Sequence, residues 1–242
     1  MLGLAFEGCA CRSAFHAGVA AALTEGGVRP AVTAGSSSGS LCAAGVAAGR
    51  GAELPVIWRS LAGRRIWSLR RLMWNRSIFD MSWLVRKALE ASLQGVDLRA
   101  QPVEALAVAT RARDLETVVY SSREEPDFIA PLLGSCFFPV LYGRTVRVRG
   151  ELLVDGGLTD NLPVERLVER GCDEVIAVVT QPDGTALKRP GRRGWRPQAR
   201  GARVHVVHPR RRLEIGSWDL DGGRIGRAME EGWAAGRAFL GS

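Results

Sequence analysis

The sequence predicts a three-layer α/β/α fold, in which a mostly parallel central sheet lies between helices. Short apolar runs typical of strands alternate along the chain with helix-favouring segments, and glycine or proline separates many of them. The 242 residues, 46% hydrophobic and 24% charged, can bury one sizeable core. The chain is therefore predicted to form a single domain over residues 1–242.

The first 50 residues have the pattern strand, helix, strand, helix. Residues 2–6 form an apolar run of strand length, and a loop of small residues leads into a helical pattern at 14–23. The pair Gly26-Gly27 ends that helix. A second apolar run at 31–34 then leads into an Ala-rich helical segment at 38–48.

Two stretches differ from the rest in composition. Segment 49–95 is rich in Arg and Trp and favours helix, which predicts a helical lid or insertion. Two interpretations of its tryptophans stay open, contact with a bilayer interface or packing within a helical subdomain. These residues are Trp58, Trp67, Trp74 and Trp83. Segment 188–203 combines Pro, Gly and many Arg residues, which predicts an exposed loop.

The other predicted elements follow from the same patterns. A hairpin built from 146–148 and 152–154 delivers Asp155 to the end of a strand. Further strands are predicted at 106–109, 118–120, 175–179 and 204–207, and helices at 128–133, 164–170 and 225–240.

Charge and cysteine content limit the function classes. The formal net charge of +8 comes almost entirely from Arg, which favours anionic partners such as a phospholipid surface or a nucleic acid. A merely solvated Arg-rich surface explains the charge equally well. Five cysteines without metal-ligand spacing indicate reduced thiols and no metal site. With neither a signal peptide nor an apolar membrane span in the sequence, we expect a cytoplasmic protein whose membrane contact is peripheral.

One short motif indicates a catalytic residue. Gly35-Ser36-Ser37-Ser38-Gly39 has the G-x-S-x-G spacing, in which flanking glycines let a strand turn abruptly into a helix and expose the central serine. The motif alone is weak, but the strand before it and the helix after it are the context that it requires. Ser37 is therefore the candidate nucleophile.

A serine hydroxyl needs a nearby base and donors for the oxyanion. Asp155 precedes His205 and His208, so a conventional Ser-Asp-His triad is one alternative. Against it, the motif follows the second strand, whereas the conventional hydrolase fold places several strands upstream. His16 is expected to pack on the first helix.

Four blocks together resemble the patatin-like phospholipase family. They are the loop from Gly3 to Val19, the G-x-S-x-G motif, Ser135-Cys136-Phe137-Phe138-Pro139, and Asp155-Gly156-Gly157 followed by Asn161-Leu162-Pro163. The resemblance implies the patatin-like fold and a lipid acyl hydrolase, of phospholipase A or lysophospholipase type, that needs no cofactor. It also implies a Ser-Asp dyad, in which Asp155 accepts the proton of Ser37 and an acyl-enzyme forms.

The resemblance further implies an oxyanion hole built from backbone N–H groups of Gly8, Cys9 and Ala10. Arg12 matches the signature arginine and is expected to position the loop or the substrate. Cys9, Ala10 and Ser13 stand where the family has glycines, and such residues resist positive φ angles. An alternative therefore stays open: a catalytically impaired protein that binds an anionic membrane or nucleic acid through arginine. For the hydrolase we expect a lipid partner and no nucleic acid.

Overall fold

The computed structural model of the chain describes residues 1–63, 81–138, 145–192 and 194–241, and for residues 81–84 only the backbone. The described residues form an eight-stranded sheet with helices on both faces. The strands are β1 (Leu2–Phe6), β2 (Val32–Ser36), β3 (Glu104–Arg111), β4 (Glu116–Ser121), β5 (Val146–Val148), β6 (Glu151–Asp155), β7 (Glu174–Val178) and β8 (Arg203–Val207).

The helices follow the apolar patterning of the sequence. They are α1 (Ser13–Glu25), α2 (Ser38–Ala47), α3 (Leu54–Ser60), α4 (Met81–Leu93), α5 (Ile129–Ser135), α6 (Val164–Glu169) and α7 (Gly222–Leu240). None of the helices in the described part of the chain is both long enough and apolar enough to cross a membrane.

The sheet is mostly parallel, as predicted. Its order is β5-β6-β3-β2-β1-β7-β8, and β4 also pairs with β3. The five strands from β3 to β8 in this order run parallel to one another, while β4, β5 and β6 form the antiparallel pairs. This confirms the three-layer α/β prediction.

Alternate residues of each strand enter cores on opposite faces of the sheet. In β1, Leu4 and Phe6 pack with α1, α2 and α7, whereas Ala5 packs with α6 on the other face. Both faces are apolar because a parallel sheet is covered by helices on both sides. The loop after β7 adds to the second face, where Trp195 packs against the core, so segment 188–203 covers the sheet as well as exposing arginines.

The candidate site lies where two strands meet end to end. Residues 104–108 of β3 pair with β2, and residues 109–111 pair with β6. Because β4 pairs along residues 106–111 of β3, β2 and β6 must share its other edge. Ser36 registers with Val108 and Asp155 with Ala109, so the carboxyl ends of β2 and β6 face each other. The residues that follow these two ends are thereby brought together.

Candidate active site

Ser37 occupies the turn between β2 and α2 in a conformation that few side chains adopt. Its φ is 53° and its ψ is −132°, in a region that L-residues avoid. Such strain persists only where the surroundings impose it, and it is frequent at functional sites. The turn projects Ser37 at the amino end of α2, where the helix dipole favours negative charge.

The flanking glycines make this turn possible through close backbone packing. A Cβ atom on Gly35 would lie 2.3 Å from the carbonyl oxygen of Gly39, and one on Gly39 would lie 2.5 Å from that of Phe6. These contacts are with backbone atoms, which cannot move aside cheaply. Glycine at both positions is therefore a packing requirement of the elbow.

A serine from a distant element fixes the backbone of the elbow. The N–H of Ser37 donates to Ser135 Oγ at 2.9 Å, and Ser135 Oγ donates to the carbonyl of Val108 at 2.5 Å. The buried Ser135 thus ties α5, β3 and the elbow together. It belongs to the S-x-x-x-P block of the sequence, whose Pro139 lies outside the described residues.

Asp155 is buried at the end of β6 with its carboxylate facing Ser37. Its Oδ1 accepts the N–H of Gly157 at 2.8 Å, and its backbone carbonyl accepts the hydroxyl of Thr110 at 2.9 Å. Burial raises the pKa of Asp155 to about 6, although hydrogen bonds from Ser37 and Gly157 oppose the rise. A carboxyl with this pKa is ionised at neutral pH and can still take up a proton.

Gly156 and Gly157 let this carboxylate approach the elbow. A Cβ atom on Gly156 would lie 2.1 Å from the carbonyl oxygen of Val108. The D-G-G block therefore places Asp155 against the sheet as well as forming a turn. A simple turn after the strand would not require this close packing.

Ser37 and Asp155 open into a small pocket whose described walls are mostly apolar. Its volume is about 60 Å³. Helices α2, α3 and α4, together with the residue that follows α3, contribute apolar residues, namely Leu41, Trp58, Leu61, Val85 and Ala88. Phe138 and Trp218 also line it and are 40% and 51% exposed, so they lie at its mouth.

The predicted lid segment contributes to this pocket. Trp58 is 7% exposed and packs inside the protein, which favours the packing interpretation for this tryptophan. Trp67 and Trp74 lie outside the described residues, as does the side chain of Trp83.

The loop after β1 faces the elbow, and its three predicted oxyanion donors differ in their hydrogen bonding. The N–H of Gly8 donates to the carbonyl of Asn161 at 2.9 Å, and that of Cys9 donates to Ser38 Oγ at 3.3 Å. The N–H of Ala10 has no acceptor among the described residues. Ala10 lines the pocket and has a φ of 53°. Its N–H is therefore the donor that remains available for an oxyanion.

A buried network of side chains holds this loop against α2. Ser38 Oγ lies 2.7 Å from Ser13 Oγ, which in turn lies 3.1 Å from Cys9 Sγ. His16 approaches the same sulfur at 3.8 Å. Burial raises the pKa of Cys9 to about 12, so the thiol stays protonated and is a poor nucleophile. Two residues that replace family glycines, Cys9 and Ser13, thus belong to the support of the loop.

Asn161 clamps the loop from the other side. Its side-chain N–H donates to the carbonyl of Gly8 at 3.0 Å, while its own carbonyl accepts the N–H of Gly8. The N-x-P block marked this residue in the sequence, but not its role. Ser38 and Phe138 lie within the motif blocks, which did not indicate what they contact, and no sequence pattern marked Trp218 as part of the site.

None of the three histidines lines the pocket. His16 is fully buried in α1 against Phe6 and Phe15, as expected. His205 lies on β8, three strands from β2, and pairs with Glu174 at 2.9 Å. His208 contacts the carbonyl of Pro209. The conventional triad of the sequence analysis therefore has no support in the geometry.

Arg12 does not line the pocket of Ser37. Its side chain lines a separate and larger cavity, in which none of the Ser37 pocket residues takes part. The expectation that Arg12 positions a substrate at Ser37 is not supported by this placement. The part of the chain that the structure describes also contains no cluster of residues suited to hold a metal ion.

Comparisons with known proteins agree with the resemblance in the sequence. A sequence profile described as patatin-like phospholipase matches residues 4–168. No curated protein sequence matches the chain. The crystal structure of VipD from Legionella pneumophila superposes with a TM-score of 0.59 at 13% identity, over 99% of this chain and 66% of VipD. The type III effector ExoU superposes with a TM-score of 0.46 at 15% identity, over 99% of this chain and 52% of ExoU.

Proposed function

The chain belongs to the patatin-like phospholipase family, whose members are lipid acyl hydrolases, and on this basis we propose that it cleaves fatty-acyl esters with Ser37 as nucleophile and Asp155 as base. The observation that carries the proposal is the meeting of β2 and β6. It brings a strained elbow serine and a buried carboxylate of raised pKa to one apolar pocket.

Acylation requires two proton transfers, both through Asp155. The Ser37 oxygen bonds to the ester carbonyl carbon while Asp155 accepts the hydroxyl proton, so that negative charge develops on the carbonyl oxygen. Collapse of this intermediate breaks the ester C–O bond, and the leaving alcohol takes the proton from Asp155. Water then attacks the acyl-enzyme while Asp155 accepts its proton; the bond to the Ser37 oxygen breaks, Asp155 returns the proton to that oxygen, and the fatty acid leaves.

The developing oxyanion is stabilised by backbone N–H groups. The N–H of Ala10 and the first N–H of α2, that of Ser38, have no acceptor among the described residues and flank Ser37. This pair revises the predicted set of Gly8, Cys9 and Ala10, because the first two already donate within the protein. One such donor contributes about 3 kcal/mol to lowering the barrier.

The pocket indicates the substrate class. Apolar walls from α2, α3 and α4 suit an acyl chain, and burial against them is worth about 0.8 kcal/mol for each CH₂ group. We propose a lipid or phospholipid ester as substrate, a single domain over residues 1–242 and peripheral contact with anionic membranes. The chain spans 66% of the VipD structure, so any activity or partner of that whole protein is outside this proposal.

Covalent labelling tests the nucleophile. The wild type, Ser37→Ala and Asp155→Asn are each incubated with a fluorophosphonate, and intact mass is measured. We expect one adduct on the wild type, none on Ser37→Ala, and labelling of Asp155→Asn slowed by at least about 100-fold, as loss of a positioned base implies. Ser60→Ala is the serine control, because the Ser60 hydroxyl donates within α3 to the carbonyl of Ile57 and does not line the pocket, and it should label like the wild type. An adduct on Ser37→Ala would refute the assignment.

The pKa of Asp155 gives a second test. Protonated Asp155 cannot accept the Ser37 proton, so kcat/KM for a soluble ester should fall about tenfold per pH unit below pH 6. The profile is measured from pH 4.5 to 8.5, with far-UV circular dichroism as the control for unfolding. A profile that stays flat through pH 6 contradicts the role of Asp155 as base.

A further inference from the structure

A second cavity, of about 1010 Å³, lies outside the carboxyl ends of β1, β7 and β8. Three loops form it: Arg12 comes from the loop after β1, residues 180–187 follow β7, and residues 212–217 follow β8. Neither Ser37 nor Asp155 lines it. Its volume is at the upper end of the range of small-molecule sites.

The topology makes this position a favoured one for a ligand. From β1 the chain proceeds through β2 to β3 on one side, whereas β7 and β8 extend the sheet on the other side of β1. The strand order therefore reverses between β1 and β7. In open α/β sheets, the loops on either side of such a switch point diverge and leave a crevice in which ligands bind.

Arg12 supplies an unpaired cation to this cavity. Its Nε is buried without a hydrogen-bond partner, and no described residue forms an ion pair with its guanidinium. A buried donor left without an acceptor is unfavourable. An anion in the cavity would give the guanidinium an acceptor, and guanidinium binds phosphate and carboxylate groups in a bidentate manner.

The acidic groups around the cavity are already engaged. Asp183 accepts from the N–H and the hydroxyl of Thr185, and Glu214 pairs with Arg227 at 2.8 Å. Glu7 lies close enough to Arg12 for their charges to interact. Its carboxylate, however, accepts three hydrogen bonds from Thr180 and Leu187. None of these acids neutralises Arg12 through a direct contact among the described residues.

The Glu7 contacts also make the cavity rigid. They join the end of β1 to both ends of the loop at 180–187, and the N–H of Cys11 donates to the carbonyl of Ser217 at 3.0 Å. These hydrogen bonds therefore tie the three walls to one another. Arg212 lines the opposite wall and has no ion pair within the described part of the chain.

We propose that this cavity is a binding site for a small molecule carrying a phosphate or carboxylate group, with Arg12 as its main anchor and Arg212 as a second. The site is separate from the pocket of Ser37, so the proposal does not depend on the acyl hydrolase chemistry. The cavity has room for a further part of the ligand beside the anionic group.

Titration calorimetry on Ser37→Ala protein tests the site without turnover. The probes are inorganic phosphate, glycerol 3-phosphate and citrate in a zwitterionic buffer at low salt. We expect saturable 1:1 binding of at least one probe, weakened about tenfold or more by Arg12→Gln and less by Arg212→Gln. Arg203→Gln is the matched control, because Arg203 is exposed at the opposite, amino-terminal end of β8 and should leave binding unchanged.

Two results would overturn the proposal: no saturable binding of any probe, or binding that Arg12→Gln and Arg203→Gln weaken equally. If Arg12→Gln does not fold, Arg12→Lys keeps the charge but loses the bidentate geometry and should still weaken binding. Phosphorus NMR of the wild-type protein gives a measurement that needs no variant, since bound phosphate broadens the signal and excess citrate should restore it.

A lipid headgroup and a free anion share the proposed chemistry, and two probes distinguish them. If the anion belongs to a lipid, lysophosphatidic acid below its micelle concentration should bind more tightly than glycerol 3-phosphate. If it is a free metabolite, glycerol 3-phosphate should bind at least as tightly. In both cases Arg12→Gln must weaken binding. Fluorophosphonate labelling of Ser37 is independent of either result, so failure of the anion site and failure of the proposed hydrolase can be told apart.

Discussion

Asp155 shows the cost of burying a charged base. Its pKa is about 6 in the folded protein against 3.8 for an ordinary aspartate, so between pH 4 and pH 6 the folded state binds more protons than the unfolded state. The free energy of unfolding therefore decreases as pH rises through this window. Above pH 6 the buried carboxylate costs about 3 kcal/mol, at 1.36 kcal/mol for each pKa unit.

Asp155→Asn should stabilise the protein while slowing its chemistry. The amide keeps an oxygen for the N–H of Gly157 but carries no charge. We expect its free energy of unfolding in urea to exceed that of the wild type by about 2–3 kcal/mol at pH 8, with a smaller difference at pH 5. Equal differences at both pH values would contradict a raised pKa.

Hydrogen bonds among Ser38, Ser13 and Cys9 hold the loop after β1 against α2, and a substitution at Ser38 tests whether catalysis depends on them. Ser38→Ala removes the acceptor of the Cys9 N–H and the partner of Ser13. We expect kcat to fall about 10- to 100-fold with little change in KM, because a shifted loop weakens transition-state stabilisation more than substrate binding. Ser38→Thr, which retains the hydroxyl, should restore most of kcat.

Ser122→Ala is the matched control for this network. Ser122 is also buried, and its hydroxyl oxygen likewise accepts a backbone N–H, that of Ala105 at 3.0 Å, but it lies just beyond β4 and does not line the pocket. It should lose stability without losing kcat. If both variants keep kcat, the network supports the fold rather than catalysis.

At the scale of elements, the elbow depends on how closely α2 approaches β1. A Cβ atom on Gly39 would lie 2.5 Å from the carbonyl oxygen of Phe6 and 2.7 Å from that of Glu7. Gly39→Ala should therefore lower the free energy of unfolding by at least about 2 kcal/mol and abolish labelling of Ser37.

Gly226→Ala in α7 is the control for this substitution. A Cβ atom there meets no neighbour within 4 Å, so the helix should gain about 1 kcal/mol from the better propensity of alanine. Thermal unfolding of both variants gives the comparison. A neutral effect of Gly39→Ala would show that the elbow can relax.

At the scale of the whole molecule, two exposed aromatic residues connect the pocket with its surroundings. Phe138 and Trp218 line the mouth of the pocket and stay partly in solvent. If the enzyme works on membranes, Trp218→Ala should raise KM for lipid in vesicles about 5- to 10-fold and leave kcat/KM for a soluble short-chain ester within twofold.

Trp233→Ala is the matched control for Trp218. Trp233 is 44% exposed on α7, where its indole donates to Glu25 at 3.0 Å, and it does not line the pocket. It should leave both kinetic values unchanged. An equal loss with vesicles and with the soluble ester would indicate that Trp218 shapes the pocket rather than meeting a membrane.

Local signals were enough to predict the elements and the elbow. Apolar runs placed β1 and β2, and the G-x-S-x-G spacing after a strand marked Ser37, because strand and turn preferences act over a few neighbouring residues. The proposal of Asp155 as base came from the family resemblance. The resemblance of four blocks to the patatin-like family predicted the fold, which the family match confirms.

What the sequence alone could not decide depends on contacts between residues far apart in the chain. The meeting of β2 with β6, the capture of the Gly8 and Cys9 N–H groups, and the orientation of Arg12 into a separate cavity all result from packing across the sheet. The conformational preferences of neighbouring residues do not determine which acceptor a given N–H group or side chain will contact. Nearly every buried donor nevertheless requires an acceptor. Among the described residues, tertiary structure therefore determined which N–H groups near Ser37 have no acceptor, and that Arg12 has no ion pair.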